Sequence, residues 1–596
     1  MPRHSMNAIT IHNSSGPGAR SANKDWLRAL QRTAQVETQP DRILPVMFDA
    51  IAAERGAAIA VIDERQSLSF EAFAARANRW SRWALAQNLR KGGVVALLMG
   101  NCADYAAIWL GLTRVGVIVA LLNTNLAPSG LAHCLRAVGA RRLIADDAFE
   151  LVCESAAALL ERELQTHLAT RDEASIASMS GAPLTPQERR DVSIRDRALY
   201  IFTSGTTGLP KAAIVTHRRL LFWSLWFSGL ADMGPQDRMY DCLPMYHSVG
   251  GVVAVFGPLL AGGSVVLRRR FSASNFWTDV ESARCTLFQY IGELCRYLVN
   301  APDCEAERSH TLRLAIGNGL RADVWTPFAE RFRIPRILEF YAATESNFSL
   351  YNVEGEPGAI GRIPSFLASA QDIAIVRFDQ RLEAPARDDA GRCVRCGADE
   401  VGEAIARINA QGGVFEGYAS RGDSENKILR DVFEPGDAWM RSGDLMRKDA
   451  RGFFYFADRI GDSFRWKGEN VSSFEVAETL AACSGVREAT VYGVAIPGYE
   501  GRAGMAALVV ESGFDLAALR RHVAATLPAY ARPLFVRLSE TLEITETFKH
   551  KKQALLAAGF DPAKVDAELY FAVPGGPFIA VDAGLHDRIL GGDFRL

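Results

Sequence analysis

A strand-like run, Leu199 to Phe202, leads directly into Thr203, Ser204, Gly205, Thr206, Thr207, Gly208, Leu209, Pro210 and Lys211. Glycines let backbone N–H groups come close to an anion, hydroxyls add donors, and a lysine supplies a positive point charge. Triphosphate oxygens require that combination. The segment is not a Walker A loop, because Pro210 precedes Lys211 and Ala212 follows it where Gly-Lys-Ser/Thr would be needed. Four short polar segments and a lysine follow in order. They are Ile316-Gly317-Asn318-Gly319-Leu320, Tyr341-Ala342-Ala343-Thr344-Glu345, Arg441-Ser442-Gly443-Asp444-Leu445 and Asp458-Arg459-Ile460-Gly461-Asp462, then Thr547-Phe548-Lys549.

Taken in this order, the segments resemble the motifs of the adenylate-forming (AMP-binding) superfamily. Further runs are similar to the fatty acid transport protein / very-long-chain acyl-CoA synthetase family. They are Arg269 to Trp277, Gln289 to Tyr297, Phe464 to Val471 and the tail from Glu568 to Leu596. The resemblance implies an AMP-forming ligase that couples a long- or very-long-chain fatty acid first to AMP and then to CoA, using ATP and Mg²⁺. It implies that Thr203 to Gly208 and Lys211 cradle the β- and γ-phosphates and that Thr344 meets the α-phosphate. Glu345 would hold Mg²⁺. Tyr341 would stack on adenine, with Asn318 and Gly319 at its edge, and Asp444 would accept from the ribose hydroxyls beside Arg459. Lys549 would bridge the acid and the α-phosphate until a domain swing brings Lys467 and Gly468 toward CoA. His247, in Leu243 to Gly251, would be a positioning residue between the acyl and nucleotide sites.

By residue type alone, Asp444 with Arg459 also reads as a surface pair, Glu345 as a helix cap, and Lys549 as part of a solvated basic face. Two alternatives in function remain open. One is the same chemistry on a sterol, aryl or carnitine-type acid; the other is fatty-acid uptake or binding with secondary catalysis. Leu220 to Phe227, with Trp223 and Trp226, reads equally as the lining of an acyl tunnel or as a core helix. At the hinge, related enzymes usually place Asp or Lys two residues after the arginine, where this chain has Gly461. Glycine permits the large backbone rotations of a swing.

The elements that must carry these residues alternate between strand and helix. Gly93 to Leu98, Gly116 to Leu122 and Ser264 to Leu267 read as strands, and Asp104 to Val115, Ser129 to Val138 and Asn275 to Ala283 as helices. Such alternation predicts an α/β fold with parallel-rich sheets covered by helices. The texture changes between Pro435 and Lys467, and a small mobile α+β domain is expected beyond. Its helices are Phe474 to Ala482, Leu516 to Thr526 and Lys551 to Ala558, around strands Ala489 to Val494 and Gly504 to Val510. The domains are therefore a flexible tail at 1–40, a large region at 41–460 built from subdomains, and a small domain at 461–596.

Composition limits the remaining classes. Of the 596 residues, 67 are Lys or Arg and 69 Asp or Glu, and the net charge of −2 argues against a nucleic-acid binder. Ten dispersed cysteines do not make a disulfide framework, and Cys393 with Cys396, lacking a second ligand pair, read as ordinary structural thiols in a reducing cytosol. Tyr105 to Leu122 is the most apolar stretch, but Arg114 interrupts it, so it reads as a buried helix and strand. The expected setting is cytoplasmic, with peripheral contact at the inner face of the cell membrane. The aromatics beside Arg268-Arg269-Arg270 could touch an anionic surface, although a three-arginine run is usually solvated. Oligomeric state is not legible.

Overall fold

The computed structural model describes residues 21–204, 209–346, 348–368, 372–379, 382–408, 415–467, 469–499, 501–545 and 550–596. Gly205, Thr206, Thr207, Gly208, Gly468 and Lys549 lie outside the described residues, as does the side chain of Ser204.

Two parallel-rich sheets form the centre of the large region. In the first, strands Gln165–Leu168, Arg142–Ala145, Val94–Leu98, Ile118–Leu121 and Arg197–Ser204 run parallel in that spatial order, and Pro210–Thr216 returns antiparallel at the edge. In the second, Ile337–Ala342, Leu314–Asn318, Leu287–Ile291, Arg238–Asp241, Ser264–Leu267 and Ile59–Ile62 are parallel, with antiparallel strands at both edges. Their near-continuous apolar composition follows from burial on both faces. Helix Ala103–Arg114 has Tyr105, Ile108, Trp109 and Leu112 fully buried. Arg114 is neutralised within the core by donating to Asn78 (2.6 Å) and pairing with Asp49 (2.5 Å), which explains how a charged residue ends an otherwise apolar helix. Among the described residues, no helix is long and apolar enough to cross a membrane.

A third, mainly antiparallel sheet, built on Gly402–Arg407, Ala438–Lys448 and Phe453–Arg459, carries the Arg441–Leu445 turn and the hinge. The small domain has a five-stranded sheet from Val486–Val494 through Ala503–Val510, Phe535–Leu538 and Glu568–Ala572 to Phe578–Ala580. Helices Ser473–Ala481 and Leu516–Thr526 accompany it, with a separate core of its own.

One expected boundary is corrected. The tail does not extend to residue 40, because Ala22–Thr33 is a helix docked on the helix His217–Leu230. Trp26 is 2% exposed and lies edge-on to Trp226 at 5.9 Å and Tyr351 at 5.8 Å. Asp25, also buried, pairs with Arg336 at 2.9 Å. The aromatic anchor and buried ion pair hold a segment whose own apolar content is too low to mark it as part of the core. Residues 1–20 lie outside the described set.

Candidate active site

The described ends of the Thr203–Lys211 segment lie on paired antiparallel strands: Thr203 pairs with Lys211 and Ser204 with Pro210. Lys211 thus sits on the return strand, with its ammonium 2.8 Å from Asp423. Segment 417–419 pairs alongside: Ile214 N–H donates to Gly417 O (3.0 Å), and Ala419 N–H to Ala212 O (2.8 Å). That pairing delivers Tyr418, whose hydroxyl is hydrogen-bonded to both Glu345 and Thr203; burial and the neighbouring carboxylate push its phenol above the usual range. The hairpin and the Thr344-Glu345 segment are thereby joined through one phenol.

Thr344 Oγ1 lies 3.2 Å from Ser248 Oγ, which brings the His247 segment to the same place. His247 is half-buried, its ring 4.5 Å from that of Tyr246, and its carbonyl accepts from Gly251 N–H (2.8 Å) at the start of a π-helical turn, Val249–Val253. Gly251 permits this approach, since a Cβ there would stand 1.8 Å from Met245 O. Glu345 also faces Lys427 Nζ at 3.9 Å. One carboxylate beside the hydroxyls of Thr344, Ser248 and Tyr418 is a donor set that would fit Mg²⁺, an ion usually held by one or two carboxylates together with phosphate oxygens and water.

Asn318 and Tyr341 stand at the C-terminal ends of parallel strands, where open α/β sheets bind ligands. Gly319, at φ +81°, turns the chain after Asn318. The turn is fixed by Glu339, fully buried two residues before Tyr341 in the next strand: Gly319 N–H (2.5 Å), Leu320 N–H (3.1 Å) and Tyr290 O–H (2.5 Å) all donate to its carboxyl. Burial pushes the Glu339 carboxyl up to about 8, against the lowering effect of those donors. Tyr341 O–H donates to Asp444 Oδ2 at 2.5 Å, which joins the adenine segment to the ribose segment.

Asp444 follows Gly443, another turn at φ +81°, and pairs in register with Arg459, whose Nε is 3.9 Å away. Glu403, fully buried, accepts from Arg441 Nε and Nη2 (3.0 and 2.7 Å) and from Gly443 N–H (3.3 Å). The hinge begins one residue later. Ile460 N–H donates to Gly443 O (3.1 Å), and buried Asp458 accepts from Ser473 N–H (2.6 Å). Nothing stands within 4 Å of a Cβ placed at Gly461, so in this arrangement the position has room for a side chain.

The small domain contacts the large one through Arg321, the residue after the Gly319-Leu320 turn. Its guanidinium lies 3.0 Å from Glu478 and 5.5 Å over the Phe474 ring. His550, adjacent to Lys549 in sequence, is set among Glu293, Arg296 and Arg321 of the large domain. Lys467 is exposed, at φ +52° in the turn between Phe464–Trp466 and Glu469–Val471.

The structure therefore brings together Thr203, Lys211, His247, Asn318, Gly319, Tyr341, Thr344, Glu345, Asp444 and Arg459, and sets Lys467 apart on the small domain. Tyr418, Asp423, Lys427, Glu339, Glu403 and Arg321 escaped the sequence reading. A lone carboxylate in each apolar strand, Ile337–Ala342 and Gly402–Arg407, was the available signal for two of them. Trp226 belongs to the core helix beside Trp26, Phe222 and Tyr351. The membrane reading of the arginine run is corrected in part. Arg268 is paired with Asp279 (2.9 Å) and Arg269 with Asp146 (3.2 Å), while the neighbouring Phe276 and Trp277 are buried.

This fold and site define an AMP-binding enzyme. The AMP-binding enzyme family model matches residues 48–418, and the AMP-binding enzyme C-terminal domain matches 475–549. The chain belongs to this family, and within it to that of the long-chain fatty acid transport proteins. It is 40% identical to long-chain fatty acid transport protein 6 of Homo sapiens over 85% of this chain and 84% of that one. With long-chain fatty acid transport protein 1 of Mus musculus the identity is 38% over 93% and 88%. Among solved structures, ATP-bound MatB from Rhodopseudomonas palustris shares the fold with a TM-score of 0.74 at 22% identity, covering 87% of this chain and 99% of that one. The anthranilate CoA ligase AuaEII in complex with anthranoyl-AMP gives 0.74 at 22%, covering 87% and 97%.

Proposed function

We propose that the protein is an AMP-forming acyl-CoA synthetase for long- or very-long-chain fatty acids. A carboxylate is a poor acyl donor, and coupling it to AMP with loss of pyrophosphate gives a mixed anhydride that the CoA thiolate can attack. Adenylation gathers negative charge at the α-phosphate next to an anionic acid, so positioned cations and donors are the chief requirement. The observation that carries the reading is a set of contacts that gathers the Tyr341–Glu345 segment with its neighbours. Tyr341 is bonded to Asp444, Thr344 to Ser248, and Glu345 through Tyr418 to Thr203.

In this reading the hairpin of Thr203 and Lys211 holds the β- and γ-phosphates, and Asp423 releases Lys211 to them. Tyr341, Asn318 and Gly319 hold adenine, Asp444 the ribose, and Thr344 the α-phosphate. Glu345 would hold Mg²⁺, which when bound offsets phosphate charge. Lys549 enters from the small domain to bridge the acid and the α-phosphate, and His247 is a positioning residue between the acyl and nucleotide sites. Lys467 and Gly468 serve the CoA step after a swing about Arg459–Asp462.

The names of the fatty acid transport proteins support a long acid, and the CoA ligase among the structural neighbours supports the thioester step. Each buried methylene is worth about 0.8 kcal/mol, so eight more add roughly 6 kcal/mol where the site accepts them. The protein contacts its lipid substrate peripherally at a membrane. Acyl-dependent ATP–pyrophosphate exchange over acids of about C8 to C24 tests the reading and rises toward the long acids. A maximum with a sterol, aryl or carnitine-type acid would reassign the substrate. Tight acyl binding without exchange for any acid would leave an uptake or binding protein.

A further inference from the structure

Beyond the matched C-terminal domain, which ends at residue 549, the small domain continues with strands Glu568–Ala572 and Phe578–Ala580 and helix Ala583–Leu590. These elements are integral to the domain. Glu568–Ala572 pairs with Phe535–Leu538, and Phe571, Val581, Leu585 and Ile589 share one buried cluster with Phe464 and Trp466. After the helix the chain folds back. Arg588 donates to Asp593 (3.1 Å) and covers the ring of Phe594 (5.0 Å), which lies edge-on to Phe571 at 5.1 Å.

Tyr499 clasps this returning segment. Its hydroxyl donates to Phe594 O (2.9 Å) and accepts from Leu596 N–H (3.0 Å), so the phenol holds two main-chain groups of one tripeptide. The same ring lies 5.6 Å from Trp466, which is 2% exposed and immediately precedes Lys467. Arg502 N–H donates to Arg465 O (2.7 Å), and Gly501, at φ +89°, lets the two chains approach: a Cβ there would stand 2.2 Å from that carbonyl. Lys467 has a left-handed backbone, which persists in a non-glycine residue where neighbours over-determine it. Its ammonium lies 5.9 Å from the ring of Trp466, the residue that Tyr499 packs against.

We infer that residues 593–596, acting through Tyr499 and Trp466, form a strap that sets the Lys467 turn for the thioester-forming half-reaction. The inference rests on the synthetase reading above. In that step the CoA thiol gives its proton to water and its sulfur attacks the acyl carbonyl. The S–C bond forms, the C–O bond to AMP breaks, and AMP leaves with the electron pair. Tyr499 is thus a positioning residue that acts through Trp466 and meets neither nucleotide nor acid.

The test uses the full chain, Tyr499→Phe, and a chain ending at Gly592. Acyl-dependent ATP–pyrophosphate exchange, CoA-dependent consumption of supplied acyl-adenylate, and hydrogen exchange of amides 464–471 are read on each. Both variants keep pyrophosphate exchange within about twofold. They lose roughly tenfold to a hundredfold in the thioester step with a raised KM for CoA, the scale expected of a small misplacement, and their hairpin amides exchange faster. Equal losses in both half-reactions, or an unaltered thioester step, would overturn the strap. If the shortened chain does not fold, Tyr499→Phe decides alone, because it keeps the ring on Trp466 and removes only the clasp. A wild-type chain without pyrophosphate exchange sinks the synthetase reading, and unchanged hairpin protection in the variants separately sinks the strap.

Discussion

The nucleotide face of the large domain and the joint that carries the small domain are built from different contacts. On the nucleotide face, two fully buried carboxylates each fix a glycine turn: Glu339 holds Gly319, and Glu403 holds Gly443 together with Arg441. Leaving a buried hydrogen-bonding group without its partner costs about 1–3 kcal/mol, so these turns are held in a single geometry. At the joint, Arg321, 14% exposed, meets Glu478 (3.0 Å), 34% exposed. Such a half-solvated pair stands between the roughly 1 kcal/mol or less of an exposed pair and the larger cost of breaking a fully buried one, so it separates more readily than the buried turns. A rigid pocket beside an exchangeable joint is what a two-step enzyme needs if one domain must first complete the site and then leave it.

The largest effects come from crossing that division. Lys549→Ala lowers acyl-dependent pyrophosphate exchange by on the order of a hundredfold or more, yet the variant still converts supplied acyl-adenylate to thioester. Equal losses in both half-reactions would mean that Lys549 does not belong to adenylation alone. Next is Asp444→Asn, which removes the charge that Tyr341 and the ribose share. A hydrogen bond to a charged group contributes about 1.5–3 kcal/mol, so the KM for ATP rises roughly tenfold to a hundredfold. An unchanged KM for ATP would detach Asp444 from the nucleotide.

The two regions also differ in how far the amino-acid sequence announces them. The Thr203–Lys211 segment stood out in the sequence because hydroxyls, glycines and a lysine have few other uses after a strand. Regular elements were legible where periodicity is strong, as in strand Ser264–Leu267 and helix Leu516–Thr526. Glu339 and Glu403 were not, because in a one-dimensional reading each is a polar interruption of an apolar strand, and the turn it serves arrives from a neighbouring strand. Tyr418 was hidden for the same reason: segment 417–419 pairs with Ala212–Ile214, some 200 residues earlier. The Ala22–Thr33 helix looked like tail because its anchor, Trp26, has value only once Trp226 and Tyr351 are assembled beneath it. Arg321 was missed because interdomain partners leave no local trace.

Arg321→Met tests the joint directly. It keeps a long apolar stem over Phe474 and removes the pair with Glu478. The loss of about 1 kcal/mol lowers pyrophosphate exchange by roughly fivefold, while thioester formation from supplied acyl-adenylate is unchanged or faster. Slowing of the second step as well would show that Arg321 supports the nucleotide turn rather than the domain contact.

The last test addresses the rigid side and depends on pH. Burial lifts Glu339 to about 8 in the folded chain, whereas the unfolded chain releases that proton in the ordinary carboxylate range, near 4.3. Between these values the folded state binds more protons than the unfolded state, so Glu339 contributes a stability that is complete at low pH and lost as pH rises through about 8. Glu339→Gln cannot titrate and can still accept from Gly319 and Leu320. The variant's denaturation midpoint therefore gains on that of the wild type from about pH 4 to about pH 8.5, a comparison window bracketing the two values. A constant difference across that range would mean that Glu339 is ionised throughout, with its three donors outweighing burial. The Gly319 turn would then be held by a full charge.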